Sequence, residues 1–272
     1  MLNDITLGQY FPGNSFVHKL DPRTKILLTL AKITMILAMT SIPSYCVLTV
    51  FLIFIVFLTR LSFLRLLRSV KPLWIIILIT FLLHVFSPGT KVDGEVLLKF
   101  SVFTIYREDA VYGLLMVTRI VLLILFSSVL TMTTSPLELT DGIEKLLRPF
   151  KKIGVPAHEL AMMMTIALRF IPTLLAETER IMMAQSARGA DFSGAPFKKK
   201  IKNLLSLIVP LFLSAFRRAD DLATAMEARC YRGGEGRTRM YQLSFSYLDG
   251  LAAGMVACVG IAMFLAGRYG VL

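Results

Sequence analysis

Runs of apolar residues close to the ~20 needed to cross a bilayer punctuate this chain and leave few folds open to it. They lie within Ile26–Met39 and its flanks, then at Tyr45–Leu58, Pro72–Phe86, Val111–Met132 and Leu248–Ala266. In hydrocarbon, backbone N–H and C=O groups must be satisfied within the segment, so each run reads as a helix. Composition agrees: 56% of the 272 residues are hydrophobic and the mean hydropathy is +0.69, more than a soluble surface tolerates. The expected class is an all-α integral membrane protein with about five transmembrane helices, plus a cytoplasmic domain of one short and two long helices. No cleavable signal peptide is expected, because residues 1–25 are polar, with Asp4, His18, Asp21 and Arg23 where an apolar stretch would be needed.

Charge orients the spans. The net charge is +12, and its placement matters more than its sum. Arg60, Arg65, Arg68 and Lys71 crowd one loop that has no acid, whereas the loop 88–110 balances Lys91, Lys99 and Arg107 against Asp93, Glu95, Glu108 and Asp109. Basic short loops stay in the cytoplasm. The N-terminus and the 60–71 loop are therefore expected inside, the 88–110 loop outside, and the segment from about Thr133 to Tyr247 inside. The chain divides into an N-terminal membrane bundle of four spans (1–132), cytoplasmic helices (133–246) and a last transmembrane helix (247–272). The bases flank apolar spans, where they meet anionic lipid headgroups, and no nucleic-acid module is present. Lys32 and Arg119, charges within spans, lie close enough to the span ends to snorkel. Gly250 and Gly254 form a G-x-x-x-G that favours close helix packing.

Site chemistry is sparse. Cys46, Cys230 and Cys258 show no C-x-x-C spacing, and His18, His84 and His158 are scattered, so neither a disulfide framework nor a metal site is expected. There is no G-x-x-x-x-G-K-[ST] phosphate loop and no recognisable catalytic set. A self-contained permease carrying substrate through its own spans is the alternative function. It should show polar, interrupted spans at mid-membrane, and the spans here are mostly Leu, Ile, Val and Phe.

The segment after the fourth span is the informative part. Ser135-Pro136-Leu137-Glu138 spells a capping box with proline at the first helical position. A short helix carrying Leu139, Ile143, Leu146 and Leu147 follows, ending near Arg148-Pro149. Two helices of roughly 30 residues, about 45 Å each, should then start at Val155-Pro156 and near Pro196 and end about Ala187 and Arg229, with prolines inside at Pro172 and Pro210. Gly189 and Gly233-Gly234 lie where helix-stop glycines belong. Arg169, Arg217-Arg218, Asp220-Asp221 and the block Lys198-Lys199-Lys200-Lys202 place these helices along or under the membrane face rather than across it.

Both long helices close on the same pattern, Ala187-Arg188-Gly189 and Ala228-Arg229-Cys230, each after an Ala/Met-rich stretch. Small residues make a low-profile helix end, and arginine offers a rigid fork to an acidic pocket. A single helix-terminal arginine is usually a capping charge, but a matched pair suggests a partner with two similar pockets. Met162-Met163-Met164 and Met182-Met183 suit an adaptable apolar surface.

These features together resemble the transmembrane T component of energy-coupling factor transporters, the EcfT/CbiQ family. The resemblance starts at Gly8-Gln9-Tyr10-Phe11-Pro12-Gly13-Asn14-Ser15 and His18-Lys19-Leu20-Asp21-Pro22-Arg23-Thr24-Lys25, runs through the basic second loop, and is most specific at the two Ala-Arg-small signatures. It implies a non-catalytic scaffold in a prokaryotic cell membrane. By the resemblance, Arg188 and Arg229 dock into grooves on two ATP-binding-cassette ATPases, which bind the ATP and Mg, and Ala187, Gly189, Ala228 and Cys230 stay small. The spans and long helices hold a separate small substrate-binding membrane subunit, and vitamin uptake is the expected transport.

Overall fold

The computed structural model describes residues 10–38, 41–86, 96–100, 103–190, 192, 196–233 and 243–269. Gly8 and Gln9 of the N-terminal motif, the charges Lys91, Asp93 and Glu95 of the acidic loop, and Gly234 lie outside them, as do the side chains of Lys99, Glu108 and Lys198–Lys200. In chain order the helices are α1 (Pro22–Ala38), α2 (Ile42–Thr59), α3 (Phe63–Val70), α4 (Trp74–Phe86), α5 (Arg107–Thr133), α6 (Pro136–Leu147), α7 (Ala157–Ala187), α8 (Phe197–Ala228) and α9 (Tyr247–Tyr269). Two short strands, β1 (Val96–Phe100) and β2 (Phe103–Tyr106), pair antiparallel between α4 and α5, a hairpin the hydropathy pattern does not announce. Apart from it the described residues form an all-α architecture.

Among the described residues, five stretches are long and apolar enough to cross a membrane: Ile42–Thr59, Phe63–Phe86, Asp109–Thr133, Ala157–Ala187 and Tyr247–Arg268. Two differences from the sequence reading stand out. α1, the first expected span, is not among the five: its 17 residues, about 26 Å, lie at the short end of the range that crosses a membrane. Conversely α7, expected along the membrane face, meets the length and composition of a span, with a mean hydropathy of 1.5 against 2.0 to 2.4 for the other four. The basic segment 60–71 is not a loop throughout. It folds as α3, which runs through a single 3-10 turn (Lys71–Leu73) into α4, buries Leu66 and sets the Arg65 guanidinium 4.7 Å from the centre of the Phe11 ring.

The described residues form two compact units, one within 10–142 and 243–269, the other within 143–233. The first unit is built around Ile36 of α1, Leu48 and Phe51 of α2, Leu66 of α3, Leu122, Phe126 and Val129 of α5, and Val256 and Met263 of α9. Apolar residues also cover its outside: Trp74, Ile75, Ile79 and Leu83 of α4 are exposed, which water disfavours and lipid does not. At Gly142 an added Cβ would stand 3.1 Å from Pro22 Cβ and 3.3 Å from its carbonyl carbon, so glycine lets α6 approach the start of α1. The Gly250–Gly254 face of α9 meets no atom within 4 Å of an added Cβ, so its small residues line an open surface and pack against no helix among the described residues.

Asp21 caps α1 as its Asp-Pro pattern predicts, Oδ1 accepting the Arg23 N–H at 2.9 Å. Asp249 adds a tie that sequence reasoning missed. Its buried carboxylate accepts the Asp21 N–H at 2.9 Å and the Ser246 N–H at 2.8 Å, joining the first turn of α9 to the cap of α1 across 228 positions. Arg23 reinforces the join, donating to the Leu243 carbonyl at 3.1 Å and lying 5.0 Å from the Phe245 ring centre. Half of this was legible, since Ser246-Tyr247-Leu248-Asp249 is itself a capping-box spelling. Lys32 and Arg119 do not snorkel outward: Lys32 is buried with Nζ 5.2 Å from the Phe126 ring centre, and Arg119 Nε donates to Tyr45 Oη at 3.1 Å.

Candidate functional site

The second unit contains α7 and α8, and their ends are the place where the sequence pattern repeats. Ser135 and Glu138 form the expected reciprocal capping box ahead of them, each side chain accepting the other's backbone N–H at 3.2 Å. Glu144 and His158 Nδ1, 3.2 Å apart, link α6 to the first turn of α7. Both long helices continue through their internal prolines, Pro172 and Pro210.

The two C-termini share one geometry. At the end of α7, Arg188 is the C-cap, Gly189 takes the left-handed conformation at φ +87°, and two backbone bonds close the helix: Gly189 N–H to Ser186 O and Ala190 N–H to Gln185 O, both 3.0 Å. At the end of α8, Arg229 is the C-cap, Cys230 is left-handed at φ +57°, and the bonds are Cys230 N–H to Glu227 O at 2.8 Å and Tyr231 N–H to Met226 O at 3.0 Å. This is the Schellman pattern twice, 6→1 plus 5→2. It explains the small third residue of each signature: a side chain branched at Cβ resists φ above zero. It also corrects one detail. The stop residue of α8 is Cys230, and Gly233, although at φ +89°, lies three positions beyond it.

All six signature residues, Ala187, Arg188, Gly189, Ala228, Arg229 and Cys230, are exposed. Neither arginine has an ion-pair partner among the described residues. Each sits on the negative end of its helix dipole, which favours a cation there. The pair Glu177 of α7 and Arg218 of α8, 3.0 Å apart and part-exposed, joins the two helices. Each partner stands eleven residues before its own signature arginine, about 16 Å along the axis. The two helices thus carry their arginines at equal reach from a common point of contact. Met163, Met164 and Met183 of α7 are exposed, an apolar and adaptable surface on the same helix. Among the described residues no group of His, Cys, Asp and Glu has the arrangement of a metal site.

The fold and these paired ends define a class, a polytopic helical membrane protein carrying a two-pronged helical unit. Comparison with known proteins gives the family. The CbiQ family, described as cobalt transport protein, matches residues 13–240. The energy-coupling factor transporter transmembrane protein EcfT of Acidaminococcus fermentans is 56% identical over 271 residues, covering 100% of this chain and 99% of that protein. The EcfT of Clostridium kluyveri is 51% identical, covering 96% and 97%. That of Bacillus subtilis is 43% identical, covering 97% and 99%. The chain therefore belongs to the EcfT/CbiQ family, the membrane components of energy-coupling factor transporters.

Proposed function

We propose that this chain is the non-catalytic coupling scaffold of an energy-coupling factor importer. Arg188 and Arg229 enter acidic grooves on two ATP-binding-cassette ATPases, with Ala187, Gly189, Ala228 and Cys230 keeping each helix end slim enough to seat. The ATPases hold ATP and Mg, and this chain binds no cofactor of its own. When the ATPase pair closes, α7 and α8 transmit the motion to a separate small substrate-binding membrane subunit, which turns to release its cargo inside the cell. Vitamins are the cargo that the resemblance of the N-terminal motif suggests. The supporting observation is the duplicated helix end: two Schellman termini, each presenting an exposed arginine without a partner among the described residues.

This reading places α7 and α8 on the cytoplasmic side of the membrane. The part-exposed Glu177–Arg218 pair and exposed Arg169 favour a wet environment over hydrocarbon, where a charged pair is costly. The N-terminus lies on the same side, by the positive-inside argument.

The test is a tagged pull-down from gently solubilised membranes, wild type beside the Arg188→Glu, Arg229→Glu double variant. Wild type should bring down two ATPases and one or more small membrane proteins. The double variant should lose the ATPases while staying folded, because both side chains are exposed. ATPase recovery unchanged by the double substitution would reject the docking role. Binding of substrate by the isolated chain would favour a self-contained permease instead.

A further inference from the structure

Between α1, α2, α5 and α9 lies a cavity of about 60 Å³, room for a few waters or one headgroup oxyanion. Four of its lining residues, Lys25, Leu28, Thr29 and Lys32, come from one face of α1 at helical spacing. The remaining wall is mostly apolar, with Phe54 and Leu58 of α2 and Met255 of α9 among its residues. α2 and α9 meet away from the cavity, where Ser44 Oγ donates to the Met263 carbonyl at 3.3 Å; of the residues lining the cavity, Phe54 of α2 is exposed, at 46%, so the cavity reaches the outside of the bundle beside Phe54.

Two buried lysines face this space: Glu138, Asp21 and Asp249 act as counter-charges on Lys25, whereas Lys32 has none among the described residues. Lys25, 4% exposed, spends its ammonium on two neutral acceptors, the carbonyls of His18 at 3.0 Å and Thr133 at 3.1 Å. Lys32, 7% exposed, has the Phe126 ring and no hydrogen-bond or ion-pair partner among the described residues. Helical side chains lean toward the N-terminus, so Lys32 reaches back toward the level of Lys25. A buried cation with only an aromatic face for company is costly, and an anion entering the cavity would relieve that cost. The apolar wall and lateral opening select anions that carry a hydrocarbon chain. Basic pockets between membrane helices have this preference for anionic headgroups.

We infer that this cavity binds the anionic headgroup of an acyl-chain amphiphile, with Lys32 as the charge that selects it and the opening beside Phe54 as the seat of the chain. The site requires only that the protein be membrane-embedded, so it stands or falls separately from the coupling role of Arg188 and Arg229. The experiment is native mass spectrometry of the full-length detergent-purified protein titrated with phosphatidylglycerol, phosphatidylcholine or palmitate. Phosphatidylglycerol should be retained over phosphatidylcholine. Lys32→Met should weaken that retention at least tenfold, and Lys32→Arg should keep it. Displacement by palmitate supports the site with a free fatty acid as a source; indifference to palmitate supports it with the phospholipid as the source. Should Lys32→Met fail to fold, Leu58→Trp, which narrows the opening and leaves both lysines in place, should weaken retention similarly. Equal retention of phosphatidylglycerol and phosphatidylcholine, or no loss with a folded Lys32→Met or Leu58→Trp protein, overturns the inference.

Discussion

Arg188 and Arg229 gain their interest from what stands next to them. An arginine at a helix C-terminus is ordinary. An arginine held as C-cap by a left-handed neighbour is aimed, because the Schellman bonds fix the last turn and the chain leaves at a set angle. Cys230 meets this demand without being glycine, at the ~1–2 kcal/mol that an L-residue costs in the left-handed region. Cys230→Gly should therefore leave the end of α8 intact, whereas Cys230→Val, branched at Cβ, should loosen it. Hydrogen exchange reads this directly: the Tyr231 amide should exchange about tenfold faster in the valine variant, a local loss of about 1.4 kcal/mol, and no faster in the glycine variant. Equal protection in both would mean that the left-handed turn is not what holds this end. Lys32 and Arg119 show a different lesson about single residues. Read along the sequence they are charges free to reach the membrane surface, but Phe126 and Tyr45 come from other helices to meet them.

Helices α1 and α9 begin side by side, and a single carboxylate joins them. Asp249 serves two buried or half-buried N–H groups, one in its own first turn and one at the cap of α1. Asp249→Ala would strand both donors, and losing hydrogen bonds to a charged group costs about 1.5–3 kcal/mol each. We expect the variant to lose about 3–6 kcal/mol overall, seen as a lowered thermal unfolding midpoint in detergent, with Asp249→Asn recovering part of the loss through its remaining carbonyl oxygen. A midpoint that does not move would show that water replaces the carboxylate at little cost. The long helices α7 and α8 rely on less: a part-exposed ion pair of the Glu177–Arg218 kind contributes no more than ~1 kcal/mol. Their pairing thus leaves them free to respond to a partner.

For the molecule as a whole, orientation decides which side of the membrane receives the paired helix ends. Length and composition allow α7 to span, whereas the proposed reading puts it and α8 on the cytoplasmic side. If α7 crossed and α8 did not, Cys230 would face outward. With Cys46 and Cys258 replaced by serine and the chain expressed without its ATPases, Cys230, which is exposed, should react with a membrane-impermeant maleimide in inside-out vesicles and stay unlabelled in intact cells. Labelling in intact cells would reverse the proposed orientation. The apolar runs, the capping box at Ser135, the Asp21 cap and the bounds of α7 and α8 were all readable in advance, because helix periods, stops and caps depend on residues within a few positions of one another. The two signature ends were readable as a repeat for the same reason, although the sequence pointed to Gly233-Gly234 where Cys230 makes the turn. The Asp21–Asp249 tie, the cavity holding Lys25 and Lys32, the helix within the basic loop and the open Gly250–Gly254 face were not readable. Each depends on which surfaces of distant helices meet, and a chain that is apolar on nearly every helical face gives no periodic signal to distinguish a side that packs from a side that meets lipid.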